Sequence, residues 1–174
     1  MDSIKRIMGS TLLTALVVWL TACTVSYKFN GSSINYEKVK TISFENFPNR
    51  SAAFVWGPME SMFNMALQDK YMQQTRLKQS RQGGDLELAG EITNYDAYNK
   101  GVDAEGYSTK AELRMTVNVR FRNNTNHAED FEQQFSASRE YNASQQMSAV
   151  QEELVKQMID EIIEQVFNAT VANW

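Results

Sequence analysis

The feature that most constrains the fold is an unbroken alternation of apolar and polar side chains over residues 110–122. The odd positions from 111 to 121 are apolar, and the even positions are polar or charged. Because the side chains of a β-strand point alternately to the two faces of a sheet, this segment predicts a strand. One of its faces should lie on a core and the other against water or a partner. Shorter alternating segments at residues 85–95 and 130–138 predict two more strands, with Gln133 as an exception in the second.

The connections between these strands differ in character. The Asn-rich residues 123–127 predict a hairpin turn between the last two strands. Residues 96–108, which contain Gly101 and Gly106, are interpreted as a longer loop, and residues 79–84 as an exposed polar connection. A fourth strand is predicted at residues 39–47, which are rich in Val, Ile and Phe and are followed by Pro48.

Two segments have the spacing of amphipathic helices. Pro58 predicts a helix start, and apolar residues recur at helical spacing through about Gln74. The methionines of this helix are interpreted as core residues, with an adaptable partner surface as the alternative.

The second helical stripe is stronger and extends from Val150 to Phe167. Ser144 or Ser148 is the candidate cap, and Ser148 with Gln151 fits a capping box. Core packing is favoured over a coiled coil because the stripe is short and lacks paired charges beside it. Trp174 is expected to close the end of that core.

The order strand, helix, three strands, helix predicts an α+β fold. We expect a two-layer sandwich in which two amphipathic helices pack on one face of a four-stranded mixed sheet. The first strand reaches the sheet through a helical crossover, so it should pair parallel with one neighbour.

The N-terminal residues predict export and lipidation. Lys5 and Arg6 precede an apolar run that is too short to favour a transmembrane helix and ends in Leu20-Thr21-Ala22-Cys23. These four residues resemble a bacterial lipobox, in which Cys23 carries covalent acyl chains; the alternative is a soluble secreted protein with an incidental cysteine. The predicted organisation is a signal peptide at 1–22, a lipidated N-terminus and tether at 23–36, and one domain at 37–174. The tether either docks on the domain or serves as a flexible spacer.

Composition argues against several classes of protein. The net charge of −4 disfavours nucleic-acid binding, which depends on a basic surface. Cys23 is the only cysteine and His127 the only histidine, so neither a disulfide nor a histidine-containing zinc cluster is expected. No phosphate-binding, dinucleotide, calcium or serine-hydrolase motif occurs. We therefore expect a protein that is not an enzyme and needs no cofactor or metal.

A set of segments in the mature chain together matches the pattern of a known family: residues 27–34, 39–50, 84–86 and 90–95, the long alternating strand, and the ends 163–168 and 171–174. Through these segments the chain resembles the LptE family of lipopolysaccharide-assembly lipoproteins. It implies two helices on a four-stranded mixed sheet and a non-enzymatic role. It also implies a lipid anchor in the inner leaflet of the outer membrane, facing the periplasm, and a position as a plug inside the LptD β-barrel, where lipopolysaccharide is delivered to the surface. Thr24, after the cysteine, is compatible with outer-membrane sorting. The alternative is an envelope lipoprotein that scaffolds another barrel or peptidoglycan.

Two kinds of contact with these partners are expected. The loops at 79–84 and 96–108 are candidate barrel contacts. On the alternating strand, Lys110, Arg114, Arg120 and Arg122 should lie opposite the apolar face, where they are candidates for binding lipopolysaccharide phosphates. The alternative is a solvated face on which Glu112 pairs with cations across strands.

Overall fold

The computed structural model describes residues 34–52, 56–102 and 108–171 of the chain, and Cys23 and Trp174 lie outside this part. It contains one sheet of five strands: β1 (Thr41–Phe44), β2 (Lys78–Ser80), β3 (Leu86–Val102), β4 (Ser108–Asn123) and β5 (Phe131–Asn142). Two helices, α1 (Pro58–Gln74) and α2 (Met147–Thr170), bury their apolar stripes against one face of this sheet. The predicted two-helix α+β architecture is confirmed.

The strand order is β2-β1-β3-β4-β5, and the sheet is mixed. Strand β1 pairs parallel with both β2 and β3, whereas β3, β4 and β5 are antiparallel neighbours. A parallel partner for the first strand is thus confirmed, as is the hairpin between the last two strands. A short 3₁₀ turn, His127–Glu129, lies within that hairpin connection.

The predicted number of four strands is wrong because β2 adds a fifth. This strand covers Lys78–Ser80 and overlaps the segment interpreted as an exposed connection. Three residues are too few to show an alternation in the sequence. They form a strand because β1 lies alongside them, with Thr41 opposite Lys78.

The predicted loop at residues 96–108 is also wrong over most of its length. Strand β3 continues to Val102 and pairs with β4 from Ser108, leaving only residues 103–107 between them. The reason is a β-bulge between Ile92 and Asn94. One extra residue there shifts the alternation, so that Tyr95 is buried where the original period places a polar side. A prediction based on one uninterrupted alternation therefore ends the strand near the bulge, although the strand continues beyond it.

Strand β1 is shorter than its prediction. Phe47 remains fully buried, but its N–H donates to Oδ1 of Asn64 on α1 at 2.9 Å. The aromatic ring thus stays in the core after the backbone has left the regular strand. The apolar residues at 39–47 therefore mark a buried segment that is longer than the hydrogen-bonded strand Thr41–Phe44.

Helix α1 begins at Pro58, as predicted, and buries Met59, Phe63, Leu67 and Tyr71. Core packing of the methionines is correct for Met59, whereas Met65 is 59% exposed on the solvent side. The ring of Tyr71 contacts those of Phe44 and Phe167 at centroid distances of 5.5 and 5.1 Å. This side chain therefore joins the sheet, α1 and α2.

Helix α2 buries the predicted stripe against the sheet, which confirms core packing over a coiled coil. The predicted capping box is wrong. The helix begins at Met147, so Ser148 lies inside its first turn and makes no capping bond, and Gln146 occupies the cap position. The amide of Gln151 instead donates to Tyr95 Oη at 2.7 Å in the core. A buried tyrosine hydroxyl needs a partner, and Gln151 supplies one.

Asp85, at the start of β3, ties this strand to β1. Its Oδ2 accepts hydrogen bonds from the N–H of Lys40 at 2.8 Å and from the N–H and Oγ1 of Thr41 at 3.0 and 2.9 Å. The backbone N–H of Lys40 and the two groups of Thr41 hold the pKa of Asp85 below its usual range. The charged form is therefore favoured by folding.

We expect Asp85→Ala to lower the free energy of unfolding by about 2 kcal/mol at neutral pH, because three donors, two of them part-buried, lose a charged acceptor. A lowered folded-state pKa contributes stability above the unfolded value, and this contribution is lost as the pH falls through the folded value. The difference in free energy of unfolding between the wild type and Asp85→Ala should consequently become smaller below about pH 4. Urea unfolding at several pH values measures it, with the exposed Asp69→Ala on α1 as control. A gap that stays constant down to acid pH contradicts this account.

Candidate functional site

The sheet face opposite the helices, called the outer face here, is covered mainly by polar side chains. Strand β4 alternates buried residues from Ala111 to Phe121 with the side chains of this face. It contributes Lys110, Glu112, Arg114, Thr116, Asn118, Arg120 and Arg122. Strand β5 adds Glu132, Gln134, Ser136, Ser138 and Glu140, which lie opposite these residues in register. The outer face is a broad surface of amides, hydroxyls and charges.

All four candidate phosphate-binding cations lie on the outer face and are exposed. The side chains of Lys110, Arg114 and Arg120 are 65%, 49% and 54% exposed. Lys110 and Arg122 are separated by about 40 Å of strand at roughly 3.4 Å per residue. The four cations therefore form two groups, which a single phosphate cannot bridge.

The first group belongs to a network of charges at the β3–β4 hairpin end of the outer face. Glu112 forms ion pairs with Lys100 of β3 and with Arg114, the latter at 2.6 Å. Glu140 of β5 forms ion pairs with Lys100 at 3.2 Å and with Lys110 at 3.3 Å. These three cations and two carboxylates connect three adjacent strands.

The Glu112 side chain is only 4% exposed, although it lies on the outer face. Hydrogen bonds from Lys100 and then Arg114 hold the pKa of Glu112 below its usual range. Lys100 and Lys110 act in the same direction on the pKa of Glu140, and both carboxylates raise the pKa of Lys100. The pairing of Glu112 with neighbouring cations, predicted as the alternative for this face, is present.

The second group is less tightly held. Arg120 Nη2 lies 3.9 Å from Glu45 Oε2, a long contact between two exposed side chains. Arg122 is opposite Glu87 of β3 in the register. An exposed pair of this kind contributes little stability, so these guanidinium groups are more readily available to an incoming anion than Arg114.

Sequence reasoning missed Lys100 as a member of this site. The residue falls within the segment interpreted as a loop, beside Gly101. Only the continued pairing of β3 with β4 brings its ammonium group next to Glu112 and Glu140. The polar alternation of residues 110–122 revealed the cations of one strand but carries no information about the strand opposite.

A cleft of about 370 Å³ lies at the other end of the sheet. Ile34, Val39, Leu86 and Phe121 are its apolar lining residues, and Lys38 is among its polar ones. Ile34, the first residue of the described part, is half-buried and packs against the core. Ile34 of the predicted 23–36 tether thus docks on the domain, and residues 23–33 of the tether lie outside the described part.

No arrangement suited to hydrolysis or metal binding occurs among the described residues. His127 is 69% exposed in the hairpin connection, with Nδ1 at 3.1 Å from Asp130 Oδ2. In the described ranges no group of three His, Cys, Asp or Glu residues is placed to hold a metal ion. None of the helices seen there is long and apolar enough to cross a membrane.

Comparison with known families decides the identity of the fold. The model of the LptE family, described as lipopolysaccharide-assembly, matches residues 39–170. The chain belongs to the LptE family. This protein is therefore an outer-membrane lipoprotein of lipopolysaccharide assembly that works with LptD.

Solved structures share this fold at low sequence identity. A protein from Xanthomonas campestris has a TM-score of 0.57 at 11% identity, covering 81% of this chain and 85% of that one. Rare lipoprotein B from Shewanella oneidensis has a TM-score of 0.51 at 11% identity, with coverages of 74% and 91%. A hypothetical protein from Chlamydia trachomatis has a TM-score of 0.53 at 9% identity, with coverages of 75% and 98%. No curated protein sequence matches the chain.

Proposed function

We propose that this LptE-family protein is a lipid-anchored plug inside an LptD-like barrel. The observation that carries the proposal is the broad polar outer face across β3, β4 and β5. The lumen of a large barrel is polar, so a domain placed within it needs a polar exterior. Only Tyr36, Met65 and Tyr98 are exposed large apolar residues in the described part.

The anchor in this proposal is Cys23, which carries the acyl chains and holds the domain at the periplasmic side of the outer membrane. A single acyl chain binds a membrane only marginally, whereas two or more give stable attachment. Attachment also raises the concentration of the domain near a barrel in the same membrane. Anchor and barrel contact therefore reinforce each other.

Co-purification from detergent-solubilised envelopes tests the plug. We expect one large β-barrel protein to be recovered with the full-length chain in a stable one-to-one complex. A variant with both Arg120→Glu and Arg122→Glu should weaken recovery of the barrel if the outer face contacts its wall, whereas Lys156→Glu on α2 should not. Recovery with cell-wall fragments and no barrel contradicts the proposal.

We further propose that the cations of the outer face contact lipopolysaccharide phosphates directly. The candidates are Lys110 and Arg114 in the charge network and Arg120 and Arg122 at the other end. Guanidinium groups suit this task because their planar donors match phosphate oxygens. The internal carboxylate of Glu112 competes for Arg114, so Arg120 and Arg122 should contribute more.

We expect the double variant Arg114→Ala/Arg120→Ala to bind purified lipopolysaccharide roughly 30-fold less tightly, because two lost charge-assisted bonds at about 1 kcal/mol each sum to about 2 kcal/mol. The control Arg81→Ala/Lys156→Ala removes the same charge away from the outer face and should bind normally. Direct binding to the full-length protein in detergent measures the effect. Equal affinity of both variants and the wild type contradicts direct phosphate contact. This outcome does not contradict the proposed complex with the barrel.

A further inference from the structure

Among the described residues, strand β5 is an edge of the sheet and pairs only with β4. It spans 12 residues, Phe131–Asn142, whereas β2 at the opposite edge has only three. A long edge presents unpaired backbone groups to which another extended chain can add. Such an edge is normally blocked by specific side chains.

The backbone groups that face the free edge belong to the even-numbered residues of β5. The carbonyl oxygen of Ser136 accepts from Gln165 Nε2 at 3.4 Å, and that of Ser138 accepts from Arg139 Nη1 at 2.8 Å. Because backbone groups alternate in direction along a strand, the edge consists of residues 132, 134, 136, 138 and 140. Two carbonyl groups at its centre are already occupied by side chains.

Arg139 makes most of the hydrogen bonds among the side chains that cover this part of the edge. Its Nη1 also donates to Glu161 Oε2 at 2.6 Å, and its Nε donates to Gln157 Oε1 at 3.2 Å. Gln165, which covers Ser136, is in turn bonded to Glu161 at 3.3 Å. We call Arg139, Gln157, Glu161 and Gln165 the edge clamp. It joins the middle of β5 to the side of α2.

A groove of about 550 Å³ extends from the outer face across the edge. It is lined by Arg114 and Thr116 of β4, by residues 134 and 136–138 of β5, and by Glu161 of the edge clamp. The groove therefore includes the part of the edge that the clamp covers. Removal of the clamp side chains would expose a continuous row of donors and acceptors there.

We propose that the edge clamp prevents β5 of a second copy of this chain from adding to β5. The two strands would pair antiparallel about a two-fold axis at Ser136, which places Gln134 opposite Ser138 and keeps the outer faces on one side. In this register Glu132 of each copy is opposite Glu140 of the other, and like charges there oppose pairing. The clamp and the two carboxylates thus act together.

This inference goes beyond the plug, because it concerns the copies of the protein and not the barrel. A domain that acts as a single copy inside a β-barrel must not pair through its sheet edge with another copy. The clamp supplies this protection without shortening β5. The strand can therefore carry its part of the outer face over its full length.

The test compares oligomeric state in detergent solution by sedimentation over a hundredfold concentration range. We expect the wild type, Lys156→Ala and Glu132→Lys to remain monomers, and Arg139→Ala to form a dimer that depends on concentration. Adding Glu132→Lys to Arg139→Ala should tighten the dimer by about tenfold, because two unfavourable charge pairs become favourable. Amide exchange at residues 134–138 should slow in the dimer.

A second route guards against loss of folding in Arg139→Ala. The variant Glu161→Gln/Gln165→Ala leaves Arg139 in place but removes its ion pair and the cover over Ser136, and should dimerise as well. The proposal is overturned if these folded variants all remain monomeric, or if the wild type dimerises as strongly as Arg139→Ala. Neither outcome affects co-purification with the barrel.

Discussion

Gly90→Ala is expected to lower the free energy of unfolding by about 3 kcal/mol, near the upper end of the usual cost of overpacking. A Cβ atom at this position would lie 2.2 Å from the carbonyl oxygen of Asn118 and 2.4 Å from Cε1 of Phe47. The first is the backbone of the neighbouring strand and the second a fully buried ring, so neither can move without disturbing the sheet. The melting temperature should fall by roughly 10 °C.

Thermal and urea unfolding of the full-length chain measure this effect. Gly57→Ala is the matched control, because a Cβ atom there meets nothing within 4 Å. Gly57 precedes α1 and has an ordinary helical φ of −52°, so alanine is tolerated. If Gly90→Ala unfolds at the same temperature as Gly57→Ala, the result contradicts the claim that β4 and Phe47 lie too close to Gly90 for a Cβ atom.

Cys23→Ser is expected to remove the protein from the outer-membrane fraction. The hydroxyl of serine does not replace the thiol as the acylation site, so all membrane affinity from the acyl chains is lost. The core lies within residues 39–171, so the unfolding temperature of the domain should not change. The expected pattern is complete loss of anchoring with an intact fold.

Fractionation of cells depleted of the barrel partner measures this prediction, because barrel binding would otherwise retain the unacylated protein. Mass spectrometry of the N-terminal peptide reports the acyl chains directly. Ser26→Ala serves as control, since it alters the same segment without touching the lipobox. Outer-membrane association of Cys23→Ser in depleted cells would show that the anchor lies elsewhere.

Local periodicity was sufficient for the elements with long regular patterns. The start of α1 follows from Pro58 at the first helical position, the buried stripe of α2 from helical spacing, and the two faces of β4 from alternation. These features depend on residues within one segment. The period of the apolar residues determines which side is buried, whatever the rest of the chain does.

The errors occur where a distant segment decides the structure. Strand β2 exists because β1 pairs with it, and β3 continues past Asn94 because a bulge restores its pairing with β4. The capping box is wrong because the helix begins at Met147, and Gln151 bonds instead to Tyr95 on another element. None of these partners can be identified from spacing within one segment.

The candidate site divides in the same way. The sequence alone determined the face on which Lys110, Arg114, Arg120 and Arg122 lie, since side-chain direction in a strand is a local property. Only the tertiary structure decided that Lys100 joins Glu112 and that Arg139 closes the edge of β5. Charge pairing depends on distances between strands and helices far apart in the chain. The predicted lipobox at Cys23, by contrast, is inferred from four consecutive residues and requires no folded neighbour.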